Sequence, residues 1–249
     1  MENGVRASLV HGIFYPEEPA ELRRMLEDGI VEPAENEDPM PAVPALVLPH
    51  AAYEYVLPHI LRGFSLLRRS GAAPRRFFIA AGLHRERKEG IILPRFDACA
   101  TPLGDVRIDT DAVRRIAGNT SARLADLPFS EEHSFEVLLP PAAHFFPEAS
   151  VVPVLAGDVS EKTAGEMTRA LQTTLGECPG ETIVLIASNS TAETDAKNAE
   201  LQGQVFAETL TRPASVESPV SAESPAIPAS PAFPGEEPRD RRLLELARE

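Results

Sequence analysis

This chain is poor in cysteine, in positive charge and in long apolar runs, and each shortage closes off a class of protein. Its two cysteines, Cys99 and Cys178, are far apart and outside any CxxC spacing, so they offer no disulfide framework. The simplest reading is two reduced thiols packed as small apolar groups, with a disulfide or redox pair as the alternative. Lys and Arg total 24 against 38 Asp and Glu, a formal net charge of -14. Such an acidic chain repels phosphate backbones and anionic headgroups, which argues against nucleic acid and membrane surfaces as partners. No apolar run approaches the ~18 residues of a membrane span. Met1 to Val10 lacks an apolar signal core, so a soluble, cytoplasmic protein is expected.

What is present suffices for one large α/β domain: 249 residues, 43% of them hydrophobic, can bury a sizeable core. The organising stretch is Ala45 to Tyr55. The apolar run Ala45-Leu46-Val47-Leu48 ends at Pro49, which has no N–H for a β-ladder, and His50 follows at once. His50 is therefore expected on a strand-to-helix loop, and loops at the carboxyl ends of strands are where ligands collect in open α/β sheets. Val56, Leu57, Ile60, Leu61, Phe64 and Leu67 then recur at helical spacing, predicting a helix over residues 54–69. Residues 76–81 read as a second buried strand, and it too ends in a glycine loop carrying a histidine, Gly82-Leu83-His84. A parallel strand–helix–strand crossover puts His50 and His84 on one rim of the sheet.

Elsewhere, Leu22, Met25 and Leu26 give an apolar stripe to a helix that starts near Pro16 to Pro19, and residues 29–44 read as an acidic, proline-rich loop. Residues 90–108 suggest a hairpin or antiparallel edge, and Asp109 caps a helix running to about Gly118. The segment Phe129 to Pro140 crowds Glu131, Glu132 and Glu136 around His133, where a helix is expected to begin. A carboxylate beside an imidazole fixes its tautomer or raises its pKa, which suits a proton carrier or a supporting partner; acids at a helix N-terminus are an equally good account. His11 reads as a turn or arm residue satisfying a local hydrogen bond, His59 as a helix-surface residue and His144 as packing. Residues 151–156 and 182–187 are further buried strands, separated by a helix from Ser160 to about Gly176 with Ala164, Met167, Leu171 and Leu175 on its inner face. Another helix is expected from about Asp195 to Leu210. Beyond Arg212 seven prolines fall between Pro213 and Pro238, and Pro225, Pro228, Pro231 and Pro234 recur every third residue. That is the polyproline II repeat, read here as an extended, disordered tail rather than a peptide ligand. The domain organisation expected is thus an α/β domain over 1–212, a linker over 213–239 and a short helix over 240–249.

Seven segments in order carry a resemblance: VRASLVHGIFYP, LVLPHAAYEY, FFIAAGLH, ATPLGDVRID, EEHSFEVLLP, VVPVLAGD and IVLIASNS. Together, over about residues 5 to 200, they resemble the Memo family, also known as protein B of the AmmeMemoRadiSam system. The resemblance implies a fold like that of the class III extradiol dioxygenases, a central, mostly parallel sheet flanked by helices with a metal cleft at one rim. It implies that His50 and His84 correspond to metal-binding histidines and that His133 lies in the same cleft. Functional association with AMMECR-like and radical SAM proteins is implied as well. The chain departs from the family pattern where Ser-Ser-Asp-Phe-Ser-His is usual: it has Ser188-Asn189-Ser190-Thr191-Ala192-Glu193. PHAGY has become PHAAY, with Ala52 for glycine, Pro141 stands where an aromatic is usual, and the family's second half is expected to be missing.

Two functions follow. In the first, Fe(II) or Cu is held by His50 and His84 with Glu193 or Glu131 as the anionic ligand, as in two-histidine, one-carboxylate iron sites, and His133 is the catalytic acid/base acting on an unknown small molecule or peptide. In the second, the cleft persists but the metal chemistry has been lost, leaving a non-catalytic scaffold or peptide-binding protein. His50 and His84 imidazoles within about 3 to 4 Å of one another, or of a carboxylate, permit the first; separation beyond roughly 8 Å leaves the second.

Overall fold

Strands that are apolar on both faces have to be covered on both faces, and here they form the middle of a sheet between helices. A computed structural model describes residues 4–30, 42–85, 88–157, 160–177 and 180–189. In chain order these residues form β1 (Val5–Arg6), α1 (Pro19–Gly29), β2 (Ala45–Leu48), α2 (Tyr53–Arg69), β3 (Arg76–Gly82), β4 (Ile91–Leu93), β5 (Ala98–Cys99), β6 (Val106–Arg107), α3 (Thr110–Asn119), β7 (Arg123–Leu124), α4 (Leu127–Ser130), α5 (Leu139–Phe145), β8 (Ser150–Ala156), α6 (Glu161–Glu177) and β9 (Thr182–Ala187), with a 3-10 turn at Glu136–Leu138. The expected helix over 195–210, the linker over 213–239, the terminal helix over 240–249, Cys178 and Glu193 lie outside the described residues.

The main sheet has the order β2-β9-β3-β8-β4-β7, and a smaller one the order β1-β5-β6. Pairing in the main sheet is parallel except between β4 and β8. The antiparallel edge expected over 90–108 is thus divided: β4 joins the main sheet, while β5 and β6 pair antiparallel in the small one. β3 and β8, fully or almost fully buried along their length, form the centre. Phe64 of α2 and Phe146 just after α5 pack on Phe77 of β3, and α1 packs on α2 and α5. α3 and α6 pack on one another and on β8.

Most helices sit on the face their apolar periodicity requires: α2 buries Leu57, Ile60, Leu61, Phe64 and Leu67, and α1 buries Leu22 and Leu26. The Asp109 side chain accepts the Ala112 N–H and caps α3 as expected. α6 is the exception. Its buried face is Thr163, Glu166, Met167, Ala170 and Thr174, while Leu175 is exposed. Glu166 accepts the Ser121 N–H just after α3, and the buried Thr174 hydroxyl donates to the Ala170 carbonyl, so polar groups on that face are satisfied. Among the described residues no helix is long and apolar enough to cross a membrane.

Register explains the position of the histidines. Leu48 of β2 and Ala81 of β3 both pair with Ala187 of β9, so β2 and β3 end at one level with β9 between them. His50 lies two residues beyond that level and His84 three residues beyond it.

Candidate metal centre

Each histidine reaches this rim for a local reason. β2 stops at Pro49, the Ser188 N–H bonds back to the Leu48 carbonyl, and the His50 N–H donates to Asn189 Oδ1 at 2.8 Å. At the end of β3 the Leu83 N–H is bound by the Ala156 carbonyl, which delivers His84 to the rim. The third, His133, lies in a turn between α4 and the 3-10 turn, not at a helix start. The Ser134 hydroxyl donates to the Gly82 carbonyl at 3.0 Å and pins that turn to the end of β3.

Loops separated in sequence thereby bring three imidazoles together. Ring centroids are 5.3 Å apart for His50 and His84, 5.9 Å for His50 and His133, and 5.2 Å for His84 and His133, the last pair stacked. One nitrogen from each ring can be chosen so that all three lie within 4.8 Å of one another. That is slightly above the roughly 3 to 4 Å expected between imidazoles and below the roughly 8 Å that would exclude a shared ion, while His84 Nδ1 lies 2.9 Å from a Glu132 oxygen, within the distance expected to a carboxylate. Imidazole nitrogens bound tetrahedrally to one ion at ~2.1 Å lie about 3.4 Å apart, so a pair 4.8 Å apart would close by about 1.4 Å.

The electrostatics favour a neutral His50 ring with a lone pair to offer. Burial, reinforced by repulsion from His84 and His133, pushes the pKa of His50 down to about 3. Its Nδ1 is buried and has no hydrogen-bond partner among the described residues. An orphaned buried polar atom costs on the order of 1–3 kcal/mol, and a cation is one group that would relieve it. Phe14 closes one side, edge-on to His133 at 5.1 Å.

Beside the cluster is Glu132, only 1% exposed. Its Oε2 accepts the His84 N–H at 2.8 Å; its Oε1 accepts the His133 and Ser134 N–H groups at 2.9 Å and lies 2.9 Å from His84 Nδ1 and 3.5 Å from His133 Nδ1. Burial alone would raise this carboxyl, but the hydrogen bonds and charge of His84 outweigh it and bring the pKa down to about 2. Of the two acids in the Glu-Glu-His motif, the sequence pointed to Glu131, whose side chain is exposed. The other expected anion, Glu193, lies outside the described residues.

A second buried carboxylate also escaped sequence reasoning. Glu136, fully buried, accepts hydrogen bonds from Ser8 Oγ, Tyr15 OH and the Leu9 and Val10 N–H groups, and pairs with Arg6. Arg6 also donates to the Phe129 and Glu132 carbonyls at 2.8 and 2.9 Å. The N-terminal arm and the turn bearing His133 are thus tied together. The Phe14 carbonyl in turn accepts the Tyr53 N–H, joining the arm to α2 behind His50. Arg and Glu 130 positions apart carry no pairwise signal in one sequence.

Comparison with known proteins agrees with the segment-by-segment resemblance. A family model described as Memo-like protein matches residues 6–195. A MEMO1 family protein of Methanopyrus kandleri is 28% identical over 214 residues, 83% of this chain and 75% of the relative. One from Methanothermobacter thermautotrophicus is 27% identical over 214 residues, covering 83% and 76%. One from Thermococcus kodakarensis is 31% identical over 189 residues, covering 74% and 64%.

Proposed function

The chain belongs to the Memo family, and from that premise we propose that it is a metal-binding member in which His50, His84 and His133 hold one redox-active transition ion, Fe(II) or Cu. The observation that carries this reading is the meeting of three imidazoles from three separate loops, with ligand nitrogens within 4.8 Å and one buried nitrogen without a hydrogen-bond partner among the described residues. Neutral imidazole suits Fe, Cu and Zn alike, so the donor set restricts the ion to this group without choosing within it. Iron or copper bound there would supply one-electron chemistry and open coordination positions, as on the class III dioxygenase scaffold that the family resembles.

His133 is taken as a third ligand because its ring lies as near His84 as that of His50 does. The protein's own contribution is to exclude water around His50, to keep that ring neutral, and to close the cleft with Phe14. Turnover of a small molecule or peptide, and association with AMMECR-like and radical SAM proteins, are further parts of the proposal that rest on family membership alone.

The test is metal retention. Protein loaded anaerobically with Fe(II), and in a parallel arm with Cu, is desalted and its metal content measured by mass spectrometry. One ion per chain at micromolar affinity or better is expected. His50→Ala and His84→Ala should each weaken binding by more than the roughly 100-fold that changes outside the ligand set can cost. Wild-type protein that retains neither metal, or variants that retain it equally well, would overturn the reading.

A further inference from the structure

We propose that Glu132 is the positioning residue of this centre, the group that fixes His84 in the tautomer with its lone pair on Nε2 and holds the turn of His133 against it. For its consequence in metal binding the inference rests on the reading above; its statement about the His84 tautomer stands without a metal.

The geometry leaves the carboxylate little freedom. The N–H groups of His84, His133 and Ser134 and the Nδ1 of His84 converge on its two oxygens at 2.8 to 2.9 Å. The three backbone groups can only donate. Oε1 already receives the His133 and Ser134 N–H groups on its two lone pairs, so it carries no proton and only accepts. The contact at His84 Nδ1 is therefore donated by the ring. When the ring is neutral it carries one N–H, and Nε2 is then left as its lone-pair nitrogen. Glu132 is 1% exposed, so in the intact protein water does not compete for these bonds.

The same oxygen that takes His84 Nδ1 also faces His133 Nδ1, at 3.5 Å. Glu132 thus addresses two stacked rings at once and ties the loop after β3 to a turn 48 residues later in the chain. A carboxylate behind a ligating histidine sets ring orientation and raises ligand basicity, and its loss typically costs 10–100-fold in metal affinity.

The experiment has two arms. In the first, long-range proton–nitrogen NMR correlations on 15N-labelled, metal-free protein read the His84 tautomer in wild type, Glu132→Gln and Glu132→Ala, with far-UV circular dichroism checking the fold. Wild type is expected as the Nδ1–H form and Glu132→Ala predominantly as the Nε2–H form. Glu132→Gln keeps an acceptor oxygen and should lie between them; it carries the test if Glu132→Ala does not fold. In the second arm, Co(II) alone is titrated into the same proteins and followed by its visible absorption. About 10–100-fold weaker binding is expected in Glu132→Ala, with an altered spectrum, and partial rescue in Glu132→Gln.

An Nε2–H ring in wild type, or variants with wild-type tautomer, affinity and spectrum, would overturn the proposal. A Glu132-dependent tautomer in a wild-type protein that takes up no Co(II) would support the positioning role and count against the metal reading instead.

Discussion

Glu136 shows how much rests on single side chains here. Its fully buried carboxylate satisfies a buried arginine, a serine and a tyrosine hydroxyl and two backbone N–H groups. Breaking a buried pair by removing one partner costs about 3–5 kcal/mol, so Glu136→Gln should lower unfolding free energy at neutral pH by an amount of that order. Burial works to raise the Glu136 carboxyl, but Arg6 and the hydrogen bonds prevail and hold its pKa below the ordinary value. A carboxyl depressed in the folded state stabilises above its unfolded pKa, about 4.3, and loses that contribution as pH falls through the folded value. The stability gap between wild type and Glu136→Gln, measured by urea unfolding, should therefore be full near pH 6 and narrow below about pH 4. A gap independent of pH would refute this account of Glu136. Tyr15→Phe, which removes one hydroxyl donor to the same carboxylate, should cost about 1 kcal/mol.

At the scale of elements, the site depends on how α2 seats β2. Gly63 faces Leu48, and a Cβ there would stand 2.7 Å from Leu48 Cδ2 and 3.3 Å from Leu46 Cδ1. Both contacts are with the strand that ends in Pro49 and His50. Gly63→Ala should overpack this seam and destabilise by about 1–3 kcal/mol, read as a lowered melting temperature, and it should weaken metal binding although the residue is not itself a ligand. A variant as stable as wild type would show that the seam has slack. These elements were legible beforehand because buried parallel strands are short apolar runs and Pro49 and Gly82 punctuate their ends. The turn around His133 was not: Pro140 and Pro141 are tolerated only in a helix's first turn, so α5 begins at Leu139 and leaves His133 in a turn before it. The face of α6 was legible only in part: Met167 is buried and Leu171 packs on the core, but Leu175 is exposed and Glu166 is buried, because Ser121 just after α3 supplies a polar partner that periodicity cannot reveal.

For the whole molecule, the decisive fact is topology. Parallel order puts the ends of β2 and β3 on the same rim, and that much follows from a strand–helix–strand reading. The insertion of β9 between them comes from the far end of the described chain and was invisible locally, yet it sets the spacing of the two histidine loops. The choice of Glu132 over Glu131 was equally hidden, since adjacent acids in a turn differ only in which one the fold turns inward. The central claim is that the three loops share one ion, and X-ray absorption on the loaded protein tests it most directly. The account predicts three imidazole nitrogens at ~2.0–2.1 Å around a single metal, falling to two in His133→Ala; a bound ion with no imidazole scattering, or one unchanged by that substitution, would contradict it.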